Sequence, residues 1–241
     1  MKFRVIIPAR YASTRFPGKA LADVHGKPMV VHVCDRAAQS GANAVHVATD
    51  DERIAAAVRE HGHEALMTRA EHASGTDRLA EAARRLGLKE DEMVVNVQGD
   101  EPLIAPQLIF QVADSLEQKR EASVSTACHP IHDSASLANP NIVKVVLDAR
   151  GYALYFSRSP IPYAREPGAT CYRHAGIYAY RAGFLARYAG LGPSPLEKAE
   201  ALEQLRVLWH GYRIAVAVSE AEFAPGVDTP QDLEAVRRMF R

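Results

Sequence analysis

Short apolar runs alternate with amphipathic stretches throughout the first half of the chain. The run at residues 3–7 is continuously apolar and rich in branched side chains, which predicts a strand buried on both faces. Further runs predict strands at 44–49, 64–67 and 93–97, and helical spacing predicts helices at 28–40, 51–61, 76–86 and 106–120. This alternation predicts an α/β fold with a mostly parallel sheet and helices on both faces. Ligands are then expected at the carboxyl ends of the strands.

The pattern changes from residue 123 onwards. Four strand candidates follow with little helix between them, at 123–128, 142–147, 152–157 and 172–180. No flexible linker precedes them, so they predict an antiparallel, strand-rich excursion of the same domain. The chain then returns to a helix at 195–209, a strand at 212–218 and a helix at 229–240 capped by Thr229. The prediction is one domain over residues 1–241, with 123–180 as its strand-rich part.

Composition and charge narrow the class of protein. The 241 residues are 47% apolar and 24% charged, as in a globular domain, and 29 basic residues balance 29 acidic ones. No overall field would therefore draw the chain to nucleic acid or to a membrane. The apolar stretch near the N-terminus is too short for a signal peptide and is interrupted by Pro8, so we expect a cytoplasmic protein. The cysteines are three, far apart, and form no zinc spacing with histidines, which favours reduced packing thiols.

Three cations lie in the loop that follows the first strand. Arg10, Arg15 and Lys19 stand there among small residues. Small residues let backbone amides approach phosphate oxygens, and the cations neutralise them, so the loop suits a polyphosphate. It contains neither the dinucleotide-binding glycine pattern nor a P-loop. A basic surface loop is the alternative.

Two further stretches carry polar groups at the predicted ends of strands and helices. Ser74 and Gly75 stand at the start of a predicted helix with Arg78 one turn in, which is either a ligand site or simply a capped helix. Gln98 and Asp100 end a buried strand, where a carboxylate could hold Mg²⁺ against phosphate oxygens or merely belong to a solvated turn.

The second half of the chain offers another set of candidates. Arg158 follows an apolar strand, and its guanidinium suits a carboxylate. His174 and Tyr178 are four apart, so on a strand they share one face, although a histidine there is more often a core or surface group. Glu203 and Gln204 lie on a predicted helix, where a solvated pair is the default. Asp228 precedes the last predicted helix and has an easy explanation as its first-turn acid.

Six separated motifs carry a family resemblance. They run in order from Ile6 to Glu234: IIPARYASTRFPGKAL with GKPMVVHV, SGTDR, VQGDEP, HAGIYAY, LEQLR and VDTPQDLE. With them the chain resembles the sugar nucleotidyltransferases, and among these the 3-deoxy-manno-octulosonate (Kdo) cytidylyltransferases. Phe16 and Ala20 stand where the family has Leu and Pro, which are conservative departures away from the charged positions.

The resemblance implies a nucleotidyltransferase (GT-A-like) fold, a reaction and a set of roles. CMP would pass from CTP to Kdo with release of pyrophosphate, which activates Kdo for lipopolysaccharide biosynthesis. The nucleotide would contact Ala9, Arg10, Ser13, Thr14, Arg15, Lys19, Ser74, Gly75, Arg78 and Asp100. The acceptor sugar would contact Gln98, Arg158, His174, Tyr178, Glu203 and Gln204. Asp100 and Asp228 would hold Mg²⁺ and, with Lys19, would be the catalytic residues. The resemblance also implies a homodimer, whose contact we place at about residues 131–172.

Three alternatives remain at this point. The same chemistry could act on a related sugar acid, 8-amino-Kdo or sialic acid. A regulator that binds a nucleotide without turnover is a second possibility, but a pure binder needs no second metal-ligating carboxylate. A nicotinamide oxidoreductase is a poor third, because the glycine fingerprint is absent.

Overall fold

A computed structural model describes residues 1–12, 16–72, 74–166, 168–220, 223–224 and 226–240. Within these ranges the strands are β1 Phe3–Ala9, β2 Asp23–Val24, β3 Lys27–Pro28, β4 Ala44–Thr49, β5 Glu64–Met67, β6 Met93–Asn96, β7 Ala122–Pro130, β8 Lys144–Leu147, β9 Ala153–Ser157, β10 Tyr172–Arg181 and β11 Arg213–Val218. The helices are α1 Met29–Ala38, α2 Glu52–Glu60, α3 Gly75–Arg85, α4 Pro106–Gln118, α5 Ser134–Ala138, α6 Ala182–Tyr188, α7 Pro195–Glu200, α8 Gln204–Trp209 and α9 Pro230–Met239. A 3₁₀ turn covers Lys19–Leu21.

One mixed sheet organises the chain. Its main path has the order β11-β7-β10-β6-β1-β4-β5, and β8 and β9 extend from the start of β10. The pairs β1–β4, β1–β6, β4–β5 and β7–β11 are parallel, whereas β10 runs antiparallel to both β6 and β7. The sheet is therefore mostly parallel with an antiparallel insertion, and the predicted fold class is confirmed.

Helices cover both faces of this sheet, which explains the continuous apolar pattern of β1. Val5 and Ile7 pack on one face with α1, α2 and α4. Ile6 points to the opposite face and packs with α3, α6 and α8. Because neighbouring residues of β1 are buried in different cores, no polar alternation can arise there.

The chain departs from the predicted elements mainly in the region after β10. The single helix predicted at 195–209 is two helices, because Ala201 adopts a left-handed conformation with φ 51° and ends α7. Helix α6 follows β10 without an intervening turn, and it was not predicted. The side chain of Thr229 caps α9 as predicted, and Asp51, where the second helix was predicted to begin, caps α2.

The structure also bears on the state of the cysteines and on the helices as possible membrane spans. All three cysteines are free and buried, and burial raises the pKa of the Cys34 and Cys128 thiols to about 12. In the part of the chain that the structure describes, every helix is too short or too polar to cross a bilayer.

Candidate active site

A cavity of about 500 Å³ opens at the carboxyl ends of β1 and β6, and we call it the first cavity. Its lining includes most of the residues assigned by resemblance to nucleotide and metal: Ala9, Arg10, Lys19, Ser74, Gly75, Arg78, Asp100 and Asp228, together with Gln98. Ser13, Thr14 and Arg15 lie outside the described residues. The sequence motifs thus meet at the edge of the sheet where ligands were expected.

Lys19 joins the two acidic motifs at the centre of this cavity. Its Nζ forms a close ion pair with Asp100 Oδ2 and lies 3.3 Å from Asp228 Oδ1. It also donates to the carbonyl of Val227 at 3.1 Å. A single cation therefore holds two carboxylates that are far apart in the sequence.

Close backbone contacts bring these loops together. A Cβ on Gly99 would lie 3.1 Å from the carbonyl oxygen of Pro8, so any other residue there would push the turn after β6 and the end of β1 apart by a few tenths of an ångström. The amide of Val227 donates to the carbonyl of Asp100 at 2.8 Å. Asp100 and Asp228 are thus fixed next to each other by the main chain as well as by Lys19.

Asp228 is not the cap of the last helix. The α9 cap is Thr229, whose hydroxyl accepts from the Asp232 amide while the Asp232 carboxylate accepts from the Thr229 amide. The side chain of Asp228 is 51% exposed and faces Lys19 in the cavity. The explanation of Asp228 as a structural first-turn acid therefore fails.

The start of α3 serves both the helix and the cavity. The Ser74 side chain caps α3 by accepting from the Asp77 amide at 3.2 Å. The guanidinium of Arg78, one turn in, is 5% exposed, lies 3.0 Å from Asp50 and also contacts the Thr68 hydroxyl. Arg78 is therefore fixed at the cavity wall with its charge compensated by Asp50.

The sequence did not predict a buried contact between His72 and Glu81 next to the first cavity. His72 lines the first cavity, and its Nε2 is in close contact with Glu81, whose side chain is 2% exposed. Burial alone would raise the pKa of Glu81, but hydrogen bonds from His72, the Arg69 amide and Arg85 outweigh it and lower that pKa to about 2. The one sequence feature that could have indicated this contact is a histidine two residues before Ser74.

A second cavity of about 280 Å³ adjoins the first. Gly75 and Gln98 line both, so the two cavities meet at these residues. Besides Gln98, three predicted acceptor residues line it, Tyr178, Glu203 and Gln204, as do the unpredicted Thr76, Asn96, Tyr180 and Tyr188. The Tyr188 hydroxyl donates to Glu203 at 2.7 Å. Because Ala201 breaks the predicted helix, Glu203 and Gln204 stand at the start of α8.

Two predicted acceptor residues lie outside both cavities. The guanidinium of Arg158 donates to the carbonyls of Glu200 at 2.7 Å and Pro140 at 3.0 Å. The ring of His174 packs 5.5 Å from that of Tyr178 and is hydrogen-bonded to Thr126 at 3.0 Å. Burial lowers the pKa of His174 to about 3, so its imidazole is neutral at pH 7.

His174 instead lines a third, more apolar cavity of about 460 Å³ that also contains Glu101. Burial, and next the charge of Asp100, raise the pKa of Glu101 to about 7. Neighbouring acids in the sequence thus have different environments. Asp100 faces the cationic group of the first cavity, and Glu101 points away from it.

The donor set at Lys19 suits a hard divalent cation. Among the described residues there is no group of three or more metal-ligating side chains. A cation at this site would therefore take two ligands from the chain, the carboxylates of Asp100 and Asp228. Both carboxylates already lie close to one positive charge, the ammonium group of Lys19. Carboxylate and phosphate oxygens are the ligands that Mg²⁺ prefers, so two carboxylates facing a polyphosphate cavity fit this ion.

Comparisons with known proteins decide the family. Residues 4–214 match the profile of the cytidylyltransferases. The chain belongs to the cytidylyltransferase family. It is thus a nucleotidyltransferase, and the resemblance seen in the sequence is confirmed.

Individual relatives are similar over nearly the whole chain. A 3-deoxy-manno-octulosonate cytidylyltransferase of Verminephrobacter eiseniae (strain EF01-2) is 57% identical over 257 aligned positions, which cover 99% of this chain and 94% of the relative. A solved CMP:2-keto-3-deoxy-manno-octonic acid synthetase complexed with CTP is 46% identical and superposes with a TM-score of 0.93, covering 99% of this chain and 98% of that one. A cytidylyltransferase of Leptospira borgpetersenii serovar Hardjo-bovis (strain JB197) shares the fold alone, with 17% identity, a TM-score of 0.64 and coverage of 98% and 85%.

Proposed function

We propose that this protein transfers CMP from CTP to Kdo and releases pyrophosphate. The observation that carries the proposal is the junction of the two cavities at Gly75 and Gln98. A charged cavity for a nucleotide and a hydroxyl-binding cavity for a sugar thus open onto each other. The 57% identity to a Kdo cytidylyltransferase supports Kdo as the acceptor.

The first cavity holds the triphosphate in this proposal. Arg10 and Lys19 line it and, with Arg15, bind the phosphates that leave as pyrophosphate. Ser74, Gly75 and Arg78 lie against the base and ribose. The chain thus orients the α-phosphate and neutralises charge, as in other phosphoryl and nucleotidyl transfers.

The second cavity holds the acceptor next to that phosphate. Gln98, Tyr178, Glu203 and Gln204 bind the sugar acid so that its anomeric hydroxyl attacks the α-phosphate in line. The new bond joins the anomeric oxygen to the α-phosphorus. The bond from that phosphorus to the oxygen that bridges it to the β-phosphorus breaks, this oxygen leaves with pyrophosphate, and the hydroxyl proton passes to solvent. Arg158 and His174 belong to the same proposed acceptor set, and Arg158 would have to leave its carbonyl partners to reach a carboxylate.

Asp100 and Asp228 hold Mg²⁺ in the proposed enzyme. When bound there, Mg²⁺ neutralises phosphate oxygens and favours ionisation of a nearby hydroxyl. The Lys19 ammonium lies between these two carboxylates, so Lys19 and Mg²⁺ would share them.

Two further expectations remain proposals. We propose a homodimer with its contact at about residues 131–172. Tyr163 is 90% exposed and Leu154 on the edge strand β9 is 62% exposed, which supports an interface there. We also propose a cytoplasmic location, where CTP is available.

Pyrophosphate release tests the proposal. Wild-type protein with Mg²⁺ should release pyrophosphate with CTP and Kdo together, and not with either alone. Thermal shifts should be larger with CTP than with ATP or GTP. Equal shifts for all nucleotides, or no release with Kdo, would contradict the proposal. Release with 8-amino-Kdo or sialic acid in place of Kdo would reassign the acceptor within the same chemistry.

A further inference from the structure

The side chain of Asn96 has a buried oxygen, Oδ1, for which the described part of the chain supplies no hydrogen-bond donor. Its residue is 3% exposed, and its Oδ1 has no hydrogen-bond partner among the described residues. Buried amide groups are almost always hydrogen-bonded, because leaving one unpaired destabilises the folded state. The chain therefore keeps at this position a group that its own packing does not use.

The position of Asn96 is rigid and faces the second cavity. Its backbone stands in the middle of the sheet, paired with Ile6 of β1 on one side and Tyr178 of β10 on the other. Its side chain lines the second cavity together with Gln98, two residues further along the same face. The intervening Val97 and the preceding Val95 point into the opposite core.

One neighbouring donor is already engaged, because the hydroxyl of Tyr188 donates to Glu203. Among the described residues, no donor lies within hydrogen-bond distance of Asn96 Oδ1. A donor that enters the cavity from outside can therefore pair with this oxygen, and a sugar hydroxyl is such a donor.

We propose that Asn96 is a specificity-determining residue whose Oδ1 accepts a hydrogen bond from one hydroxyl of the acceptor sugar. This inference rests on the proposed function, because it assigns one contact within the proposed acceptor cavity. It explains why a polar residue occupies a central strand position flanked by valines. A valine or leucine there would pack better and would leave the hydroxyl unpaired.

The substitution Asn96→Leu, of similar size, separates stability from recognition. The variant should melt at the same temperature as wild type or higher, since an unsatisfied amide is removed. Its kcat/KM for Kdo should fall about 10- to 100-fold, while the KM for CTP changes less than about twofold. Asn43→Leu is the matched control. The Asn43 side chain accepts from the Phe3 amide at 3.1 Å far from both cavities, so that variant should lose stability and keep both substrate constants.

Monodeoxy analogues of Kdo test recognition directly. If Asn96 had only a structural role, its substitution would not change how the enzyme discriminates between these analogues. Wild type should reject one of these analogues much more strongly than the others, and Asn96→Leu should lose that particular discrimination. Equal use of all analogues by wild type would overturn the inference, even if the variant failed to fold. So would an Asn96→Leu protein that melts lower but keeps wild-type kinetics.

The proposed function is tested separately by wild-type turnover of CTP with Kdo. If another sugar acid proves to be the acceptor, the analogue series is made from that acid and the same outcomes apply. Failure of the Asn96 prediction alone would leave that turnover intact.

Discussion

The two cavities meet at Gly75 and Gln98, yet they are built from different kinds of side chain. In the first cavity two of the cations are held by carboxylates: Lys19 by Asp100 and Asp228, and Arg78 by Asp50. The second cavity is lined mainly by neutral amides, phenols and aliphatic groups. One of its amides, that of Asn96, has no donor supplied for its Oδ1 by the described part of the chain.

The difference reflects what each cavity is proposed to bind. A triphosphate brings several negative charges, so its site needs cations, and in the free protein these cations need temporary partners to remain buried. Sugar hydroxyls bring no charge, so their site needs oriented hydrogen-bonding groups on rigid elements. The first cavity should therefore respond to charge, metal and pH, and the second to the loss of single hydrogen bonds.

The largest expected effect is at the carboxylate pair. Asp100→Asn or Asp228→Asn should each lower turnover by about 10³-fold, because each removes a charge that helps to hold the metal. The double variant should be little worse than the poorer single, since residues that act as a unit are not additive. Pyrophosphate release against Mg²⁺ concentration, and calorimetric titration of Mg²⁺ with CTP, measure this directly.

Asp133→Asn is the control for those variants. Asp133 caps helix α5 and lies away from both cavities, and Asn is itself a good cap. This variant should keep wild-type turnover. A fully active Asp228→Asn enzyme with unchanged Mg²⁺ dependence would end the two-carboxylate mechanism.

A second prediction concerns the buried carboxylate behind the first cavity. The pKa of Glu81 is lowered from 4.5 to about 2 in the folded protein. Because the folded-state pKa lies below the unfolded one, this stabilisation is complete above about pH 4.5 and is lost as the pH falls towards 2. Glu81→Gln should therefore cost about 3 kcal/mol of unfolding free energy at pH 7 and less than half of that near pH 3.

Urea unfolding at several pH values tests the Glu81 prediction. Asn96→Leu is a control variant in the same series. It changes the second cavity and not the contacts of Glu81, so its effect on stability should show no such pH dependence. An equal cost of Glu81→Gln at pH 7 and pH 3 would show that the pKa of Glu81 is not lowered in the folded protein.

The smallest expected effect is at Arg158, which belongs to the proposed acceptor set. Arg158→Ala should lower kcat/KM for Kdo by about 10- to 200-fold, roughly 1.5–3 kcal/mol, and leave CTP affinity nearly intact. It should also lower the melting temperature, since the carbonyls of Glu200 and Pro140 lose a donor. The exposed Arg165, on the same loop, provides the control variant Arg165→Ala.

The split between kinetics and stability decides the role of Arg158. Loss of stability with unchanged Kdo kinetics would make it a structural residue that only braces the loop. Loss of CTP binding would assign it to the first cavity.

The parts of this protein that follow local rules were predictable from the sequence. Apolar runs marked the parallel strands, Asp51 and Thr229 marked helix starts, and the motifs around Lys19, Asp100 and Asp228 met at one sheet edge as strand topology requires. Each of these depends on a few consecutive residues or on a general rule of α/β sheets.

The missed features depend on contacts between distant segments. The left-handed conformation of Ala201 is set by how α7 and α8 pack, and an alanine gives no local sign of it. Glu81 looks like an ordinary exposed helix residue until His72, Arg69 and Arg85 are seen around it. Asn96 was unremarkable in the sequence because the lack of a partner is a property of the folded cavity.

The antiparallel strand β10 has a consequence for the order in which the chain folds as it leaves the ribosome. Strands β1, β4, β5 and β6 pair only with one another and with β10, so four neighbours of the sheet are complete early in synthesis. Strand β7 pairs only with β10 and β11, which are made much later, and until then both of its edges stay open. Pulse-labelled hydrogen exchange during refolding should therefore show protection of β1 and β4 before β7. Crowded or slowed synthesis should favour aggregation through β7, and the second cavity, which β10 helps to line, should be the last part to form.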